Sequence, residues 1–135
     1  MAVYETTIDV RTDDLGRSGH VNNAKFVAYS DLARDRYLAE RHGCGLEDLS
    51  HAVVHLEIDY EGQLRSLTPI TVGIDVADVG ETSFTLTYEI RDGDRVAATL
   101  TTVAVVLDGE NESMSIPESL REGLLSDREA GELLE

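Results

Sequence analysis

The chain of 135 residues has one cysteine, one lysine, two prolines and no tryptophan. The lone thiol, Cys44 between Gly43 and Gly45, has no partner for a disulfide within the chain, which fits a reducing compartment. No apolar run approaches the roughly 18–20 residues of a membrane span. No basic start leads into an apolar core of the kind a signal peptide has. A cytoplasmic protein is therefore expected. Positive charge is scarce: ten arginines and Lys25 stand against 27 Asp plus Glu, for a formal net charge of −16. Binding to phosphate backbones needs a basic surface, so neither nucleic acid nor an anionic membrane is an expected partner. The acids are spread along the whole chain rather than gathered in a tail. A distributed acidic surface with almost no lysine fits a salt-loaded cytoplasm, where screening over a few Å relieves self-repulsion. A halophilic origin is expected on that ground. His20, His42, His51 and His55 lack the paired spacing of zinc sites, and no glycine-rich phosphate loop is present. No metal and no cofactor are expected.

What remains is enough for one domain, residues 1–135, with a sizeable core. Residues 3–10 read as a strand, and residues 12–19 are rich in turn formers. From Asn22 to about His42 the spacing is helical. Phe26, Tyr29, Ala33 and Tyr37 share one side, and Ala24, Ala28, Leu32 and Ala39 share a second. Two apolar sides imply a helix wrapped over much of its circumference. Gly43 stops it, and residues 45–50 read as a short turn of helix.

The period then changes to two. Val54, Leu56, Ile58 and Tyr60 alternate with His55, Glu57, Asp59 and Glu61, giving a strand with one wet face. Ile70, Val72, Ile74 and Val76 repeat the pattern, as do Phe84, Leu86, Tyr88 and Ile90. Residues 96–108 are apolar or threonine on both faces, so this strand is expected to be covered on both sides, and the chain to be at least a dimer. Pro117 stands near the start of a last, short acidic helix. One helix cannot cover both faces of such a sheet. An antiparallel sheet curled around the helix satisfies the order of elements, and this makes the fold α+β.

The stretch "RTDDLGRSGHVNNAKF", from Arg11 to Phe26, lies where the loop becomes the buried helix. Asn22 or Asn23 can cap the first turn with its carboxamide oxygen. Gly16 and Gly19 permit positive φ or close approach of another molecule. A helix start offers free N–H groups and partial positive charge, suited to a carbonyl oxygen on which negative charge develops.

The pattern of Arg11, Asp14, Gly19, His20, Val21, Asn22, Asn23, Ala24 and Phe26 resembles the opening of hotdog-fold thioesterases. These include the 4-hydroxybenzoyl-CoA thioesterase-like enzymes and the plant acyl-carrier-protein thioesterases. "LARDRYL" from Leu32, "LEIDYEG" from Leu56 and "IPESLREGL" from Ile116 resemble later segments of the same family in the expected order. The resemblance implies a curled antiparallel sheet of five to six strands around one long central helix. It also implies hydrolysis of acyl-CoA to free acid and CoA, in a homodimer or homotetramer. An acyl tunnel beside the helix would supply binding energy. The CoA phosphates would be held by arginines, with Arg65 and Arg91 as candidates. Gly16, Gly19, Asn22 and Ala24 are the residues expected around the bound thioester.

One position departs from the family. Relatives carry Asp-x-Asp before the Gly-His-Val-Asn-Asn run, and the second Asp is the catalytic one. Counting back from Gly19, Asp14 fills the first place and Gly16 the second. Three groups could act instead. Glu61 matches a glutamate that the plant enzymes use together with the asparagine and histidine of the motif, here Asn23 and His20. Asp14, with its neighbour Asp13, lies in the same loop. His20 itself could accept a proton, as an imidazole can. Each also has a plainer role: Glu61 as a solvated charge, Asp14 as a brace for the turn, His20 as part of the wall. Two functions follow, an acyl-CoA thioesterase or a non-catalytic acyl-CoA binding or sensing protein that has lost its base. A hydratase is disfavoured, because Asp14 to His20 is one residue too long for the Asp-x-x-x-x-His pair of hotdog hydratases. Cys44 has no activating context for a Cys-His pair.

Overall fold

The computed structural model describes residues 2–45, 49–65 and 67–134. Strand β1 (Tyr4–Ile8) is followed by a single 3-10 turn (Thr12–Asp14) and helix α1 (Asn23–His42). Four strands come next, β2 (Ser50–Tyr60), β3 (Ile70–Val79), β4 (Ser83–Asp92) and β5 (Arg95–Leu107), and then helix α2 (Glu118–Leu134). The strands form one antiparallel sheet in the order β1-β3-β4-β5-β2. This is the hotdog fold. Among the described residues no helix is long and apolar enough to cross a membrane. The expected turn of helix at residues 45–50 falls largely on residues 46–48, outside the described residues, and Ser50 already belongs to β2.

The period of two holds best in the middle of the sheet. Ile70, Val72, Ile74 and Val76 of β3 and Phe84, Leu86, Tyr88 and Ile90 of β4 are all buried. They face one another across the ladder as Val72 with Ile90, Ile74 with Tyr88 and Val76 with Leu86. Each such side chain taken from water contributes about 1.5–3 kcal/mol before the entropy of ordering is subtracted. β5 buries Ala98, Leu100, Thr102, Ala104 and Val106 on the same inner face and leaves its outer face half-buried. β2 departs from simple alternation. A register shift between Val53 and His55 turns Val54 outward, where it is 62% exposed, so Val54 does not share the inner face with Leu56 and Ile58.

Both edges of the sheet reach the same helix, which is what curling means here. Tyr4 of β1 packs edge-on against Tyr37 with ring centroids 5.5 Å apart, and Tyr60 of β2 packs against Phe26 at 5.2 Å. Between them, Arg34 donates to Tyr88 of β4 at 3.2 Å and to His51 Nε2 at 3.1 Å. Burial, and then the Arg34 charge, hold the His51 imidazole below its usual range, so Nε2 keeps the lone pair that accepts this bond. Asn22 caps α1 by accepting from the Ala24 N–H at 3.2 Å. Gly43 ends the helix in the left-handed region at φ 67°, the usual glycine solution.

The second apolar side expected on α1 is not buried. Ala24, Ala28, Leu32 and Ala39 are exposed, and the one buried face carries Phe26, Tyr29, Ser30, Ala33, Arg34, Tyr37 and Leu38. A five-stranded sheet reaches the helix from one side only, and alanine tolerates water well. The last helix is also not short: α2 has 17 residues and packs against β3. β1 pairs β3 only from Ile70 to Ile74. Beyond that point α2 supplies contacts instead, through Arg121 to the Gly80 carbonyl and Arg128 to Asp78 at 3.6 Å.

Candidate active site

The loop before α1 is braced from below by Asp14. Its carboxylate accepts from the Arg11 N–H at 3.0 Å and from the Tyr29 hydroxyl at 2.7 Å, and Lys25 lies 3.6 Å away. Its backbone carbonyl accepts from the Asn22 N–H at 2.9 Å. Desolvation alone would raise the Asp14 carboxyl. The Arg11 N–H, the Tyr29 hydroxyl and Lys25 together outweigh it and hold the group below the ordinary carboxylate range. Tyr29 is pushed up in return, by burial and by its bond to Asp14.

The loop then folds back on itself. Gly16 N–H donates to the His20 carbonyl at 2.7 Å, and Gly19 N–H donates to the Gly16 carbonyl at 3.1 Å. Gly19 sits at φ 81°, where a side chain would be strained. Gly16 is not in that region, and a Cβ there would meet nothing closer than the His20 carbonyl at 3.7 Å. The His20 ring is set by Ser18, whose Oγ lies 2.9 Å from Nδ1. Val21 N–H bonds the Leu64 carbonyl at 2.6 Å, which ties the loop to the segment after β2.

That segment brings Glu61 to the loop. The Tyr60 hydroxyl donates to the Asn23 carbonyl at 2.9 Å, fixing the end of β2 against the first turn of α1. A cavity of about 590 Å³ opens between them. Of the residues expected from the sequence, Gly16, His20, Asn22, Asn23 and Glu61 line it, joined by Ser18, Val21, Phe26, Tyr60, Gly62 and Gln63. Tyr60 stands in the sequence only as an apolar position of its strand, and Gln63 carries no signal beyond lying two places after Glu61. Glu61 is the one carboxylate among the described residues that line the cavity. The Ala24 and Lys25 N–H groups are taken by Asn22. The Asn23 N–H, at the positive end of α1, has no acceptor among the described residues. The cavity is therefore lined both by a potential base, Glu61, and by the residue that starts α1, Asn23.

Other expected residues lie elsewhere. Asp14 is buried behind the loop with its oxygens committed, and Asp13 is exposed and paired with Arg11 at 3.0 Å. Gly19 shapes the turn without lining the cavity, and Ala24 lies on the outside of α1. Arg65 is exposed and, among the described residues, bonds the Gln63 side chain at 2.8 and 3.2 Å. Arg91 lies on the outer face of the sheet, paired with Glu5 at 3.0 Å and Glu89 at 3.5 Å, and not at this cavity. Among the described residues no three His, Cys, Asp or Glu side chains converge as a metal set.

Comparison with known proteins agrees with the fold. Residues 10–124 match the model of the thioesterase-like superfamily. A protein of Pseudomonas aeruginosa superposes with a TM-score of 0.87 and 28% identity, over 94% of this chain and 92% of that one. A thioesterase from Thermus thermophilus, crystallised with coenzyme A and zinc, superposes with a TM-score of 0.81 and 32% identity, over 89% and 95%. A 1,4-dihydroxy-2-naphthoyl-CoA thioesterase from Synechocystis shares the fold, with a TM-score of 0.81 and 18% identity over 90% and 95%. No curated protein matches the chain by sequence. The chain belongs to the thioesterase-like superfamily, and it is a thioester hydrolase of the hotdog fold.

Proposed function

We propose that the protein hydrolyses acyl-CoA thioesters with Glu61 as general base. The observation that carries this is the cavity in which Glu61, the one lining carboxylate among the described residues, shares space with the Asn23 end of α1. Water, deprotonated by Glu61, attacks the thioester carbon and forms the new C–O bond. The carbonyl oxygen takes negative charge and is held by the Asn23 N–H and the helix end. Collapse breaks the C–S bond. The proton held by Glu61 goes to the leaving thiolate, giving free acid and CoA. His20, beside them, is a second group able to carry a proton.

Charge supports a phosphate-bearing substrate. In a chain of net −16, Arg17 and Arg65 have no carboxylate partner among the described residues. Both flank cavity-lining residues in sequence, Arg17 between Gly16 and Ser18 and Arg65 two places after Gln63. They are suited to hold the CoA phosphates, as charge-assisted contacts do.

Gly16 favours a second reading. It lines the cavity at the place where relatives carry the catalytic acid, so the site could bind acyl-CoA without turning it over. Release of free thiol from a series of aliphatic and aromatic acyl-CoA thioesters, measured in molar KCl, decides between them. Turnover supports hydrolysis. Saturable binding without turnover supports the sensing protein. In either case we take the working form to be a cytoplasmic, salt-adapted homo-oligomer.

A further inference from the structure

β2 does not simply end at the cavity; it is held there by a residue of the neighbouring hairpin. The N–H groups of Glu61 and Gly62 both donate to the Ala97 carbonyl, at 2.9 and 3.0 Å. The regular ladder stops at that shared acceptor, and residues 61–63 turn along the cavity wall. Arg95, the first residue of β5, lies across this turn. Its Nη2 donates to the Gln63 carbonyl at 2.7 Å, and the same nitrogen lies 3.5 Å from Asp92 Oδ2. Its Nη1 fills the space that a side chain at position 62 would need: a Cβ there would lie 2.6 Å away. Gly62 is not in the left-handed region. Glycine at this position makes room for the guanidinium rather than freeing the backbone.

We propose that Arg95 is a positioning residue for the hydrolysis: it clamps the 61–63 turn so that the Glu61 carboxylate is presented to the helix start. This rests on Glu61 being the base. The turn is on the surface, and a displacement of a reacting group by about 1 Å can cost on the order of 10²-fold in rate. Phosphate binding is assigned to Arg17 and Arg65, so loss of the clamp acts on kcat and not on KM.

The test is a cycle of Arg95→Ala, Gly62→Ala and the double variant, with Arg95→Lys and Glu61→Gln beside them and a thermal melt for each. Gly62→Ala displaces the guanidinium while keeping its charge. Each single alanine variant is expected to lower kcat about tenfold or more, with KM within about twofold. The double variant should be no slower than the slower single, because both changes break one contact. Arg95→Lys, which keeps charge but loses the fork, should fall between wild type and Arg95→Ala. A kcat for Arg95→Ala within threefold of wild type, while Glu61→Gln loses activity, overturns the clamp and leaves the base standing. A raised KM at unchanged kcat would make Arg95 a substrate-binding cation instead. Losses that multiply in the double variant would show that the contact is not shared. A harmless Glu61→Gln removes the base, and the clamp with it.

Discussion

Asp127 of α2 accepts a hydrogen bond from the Tyr37 hydroxyl of α1 at 2.5 Å, at the end of the helix opposite the cavity. Arg41 grips the same carboxylate with two nitrogens, at 2.7 and 2.9 Å, and His42 Nε2 lies 2.8 Å from it. Asp127 is 3% exposed, so these contacts do what water would do for a free carboxylate. Burial pushes the carboxyl up, but Arg41, Tyr37 and His42 together hold it below the usual range. A carboxyl lowered on folding contributes stability above its unfolded value near 3.9 and loses it as pH falls through the folded one. Asp127→Asn is expected to cost about 2 kcal/mol at neutral pH and to flatten stability against pH below about 4. Denaturant melts from pH 7 to pH 3 measure this. Equal losses at both ends of that range would show that the carboxylate's charge is not what docks α2.

Salt should stabilise the fold. At a net charge of −16, screening relieves repulsion that dilute buffer leaves in place. The melting temperature is expected to rise between 0.1 and about 2 M KCl. A flat or falling series would remove salt adaptation as the reason for the acidic surface.

The far edge of β2 has no strand beside it among the described residues. Its backbone groups are a template for another strand, and Leu56 and Ile58 on it are only half-buried, with Val54 62% and Tyr60 45% exposed. The chain is expected to be at least a dimer in high salt by light scattering, and Val54→Asp to shift it toward monomer. A stable monomer of the unaltered chain would count against assembly.

Glu61→Gln should lower kcat by roughly 10²–10⁴, the usual scale for losing a general base. A loss under about threefold in steady-state hydrolysis would return Glu61 to a solvated charge.

Strand periodicity made β3 and β4 legible because Ile70 to Val76 and Phe84 to Ile90 bury every second residue, ahead of the register shifts at Val76/Asp78 and Ile90/Arg91. It misled at Val54, since a bulge costs one residue of register and no residue type announces it. The cap at Asn22 and the stop at Gly43 were legible because both depend on local backbone chemistry. The outer alanines of α1 were not, because alanine suits water and core alike. At the site, the loop motif pointed to Gly16, His20 and Asn23, and Glu61 came from the family pattern. Tyr60, Arg95 and the Asp127 cluster arise only when strands and helices distant in sequence meet. Asp127 is 90 residues from Tyr37, and nothing near it marks a buried acid.

Gly16→Asp asks whether the cavity is a complete site lacking one group. Gly16 lines the cavity, and the family resemblance of the loop motif implies a catalytic acid at its place. The backbone there is not left-handed, and a Cβ would sit at an ordinary 3.7 Å from the nearest atom. Aspartate is therefore expected to fold without strain, in contrast to Gly19 at φ 81°. If the native protein is slow or only binds, a carboxylate placed near the Asn23 N–H should raise hydrolysis by at least about tenfold, with the melt unchanged. No gain beside a native protein that already turns over briskly means that catalysis runs through another group, and Glu61 is the one the cavity offers. No gain beside an inert native protein means that restoring the acid is not enough, which favours the sensing protein. Combining Gly16→Asp with Glu61→Gln separates the two acids. Activity retained in the pair assigns the base to position 16, and activity lost assigns it to Glu61.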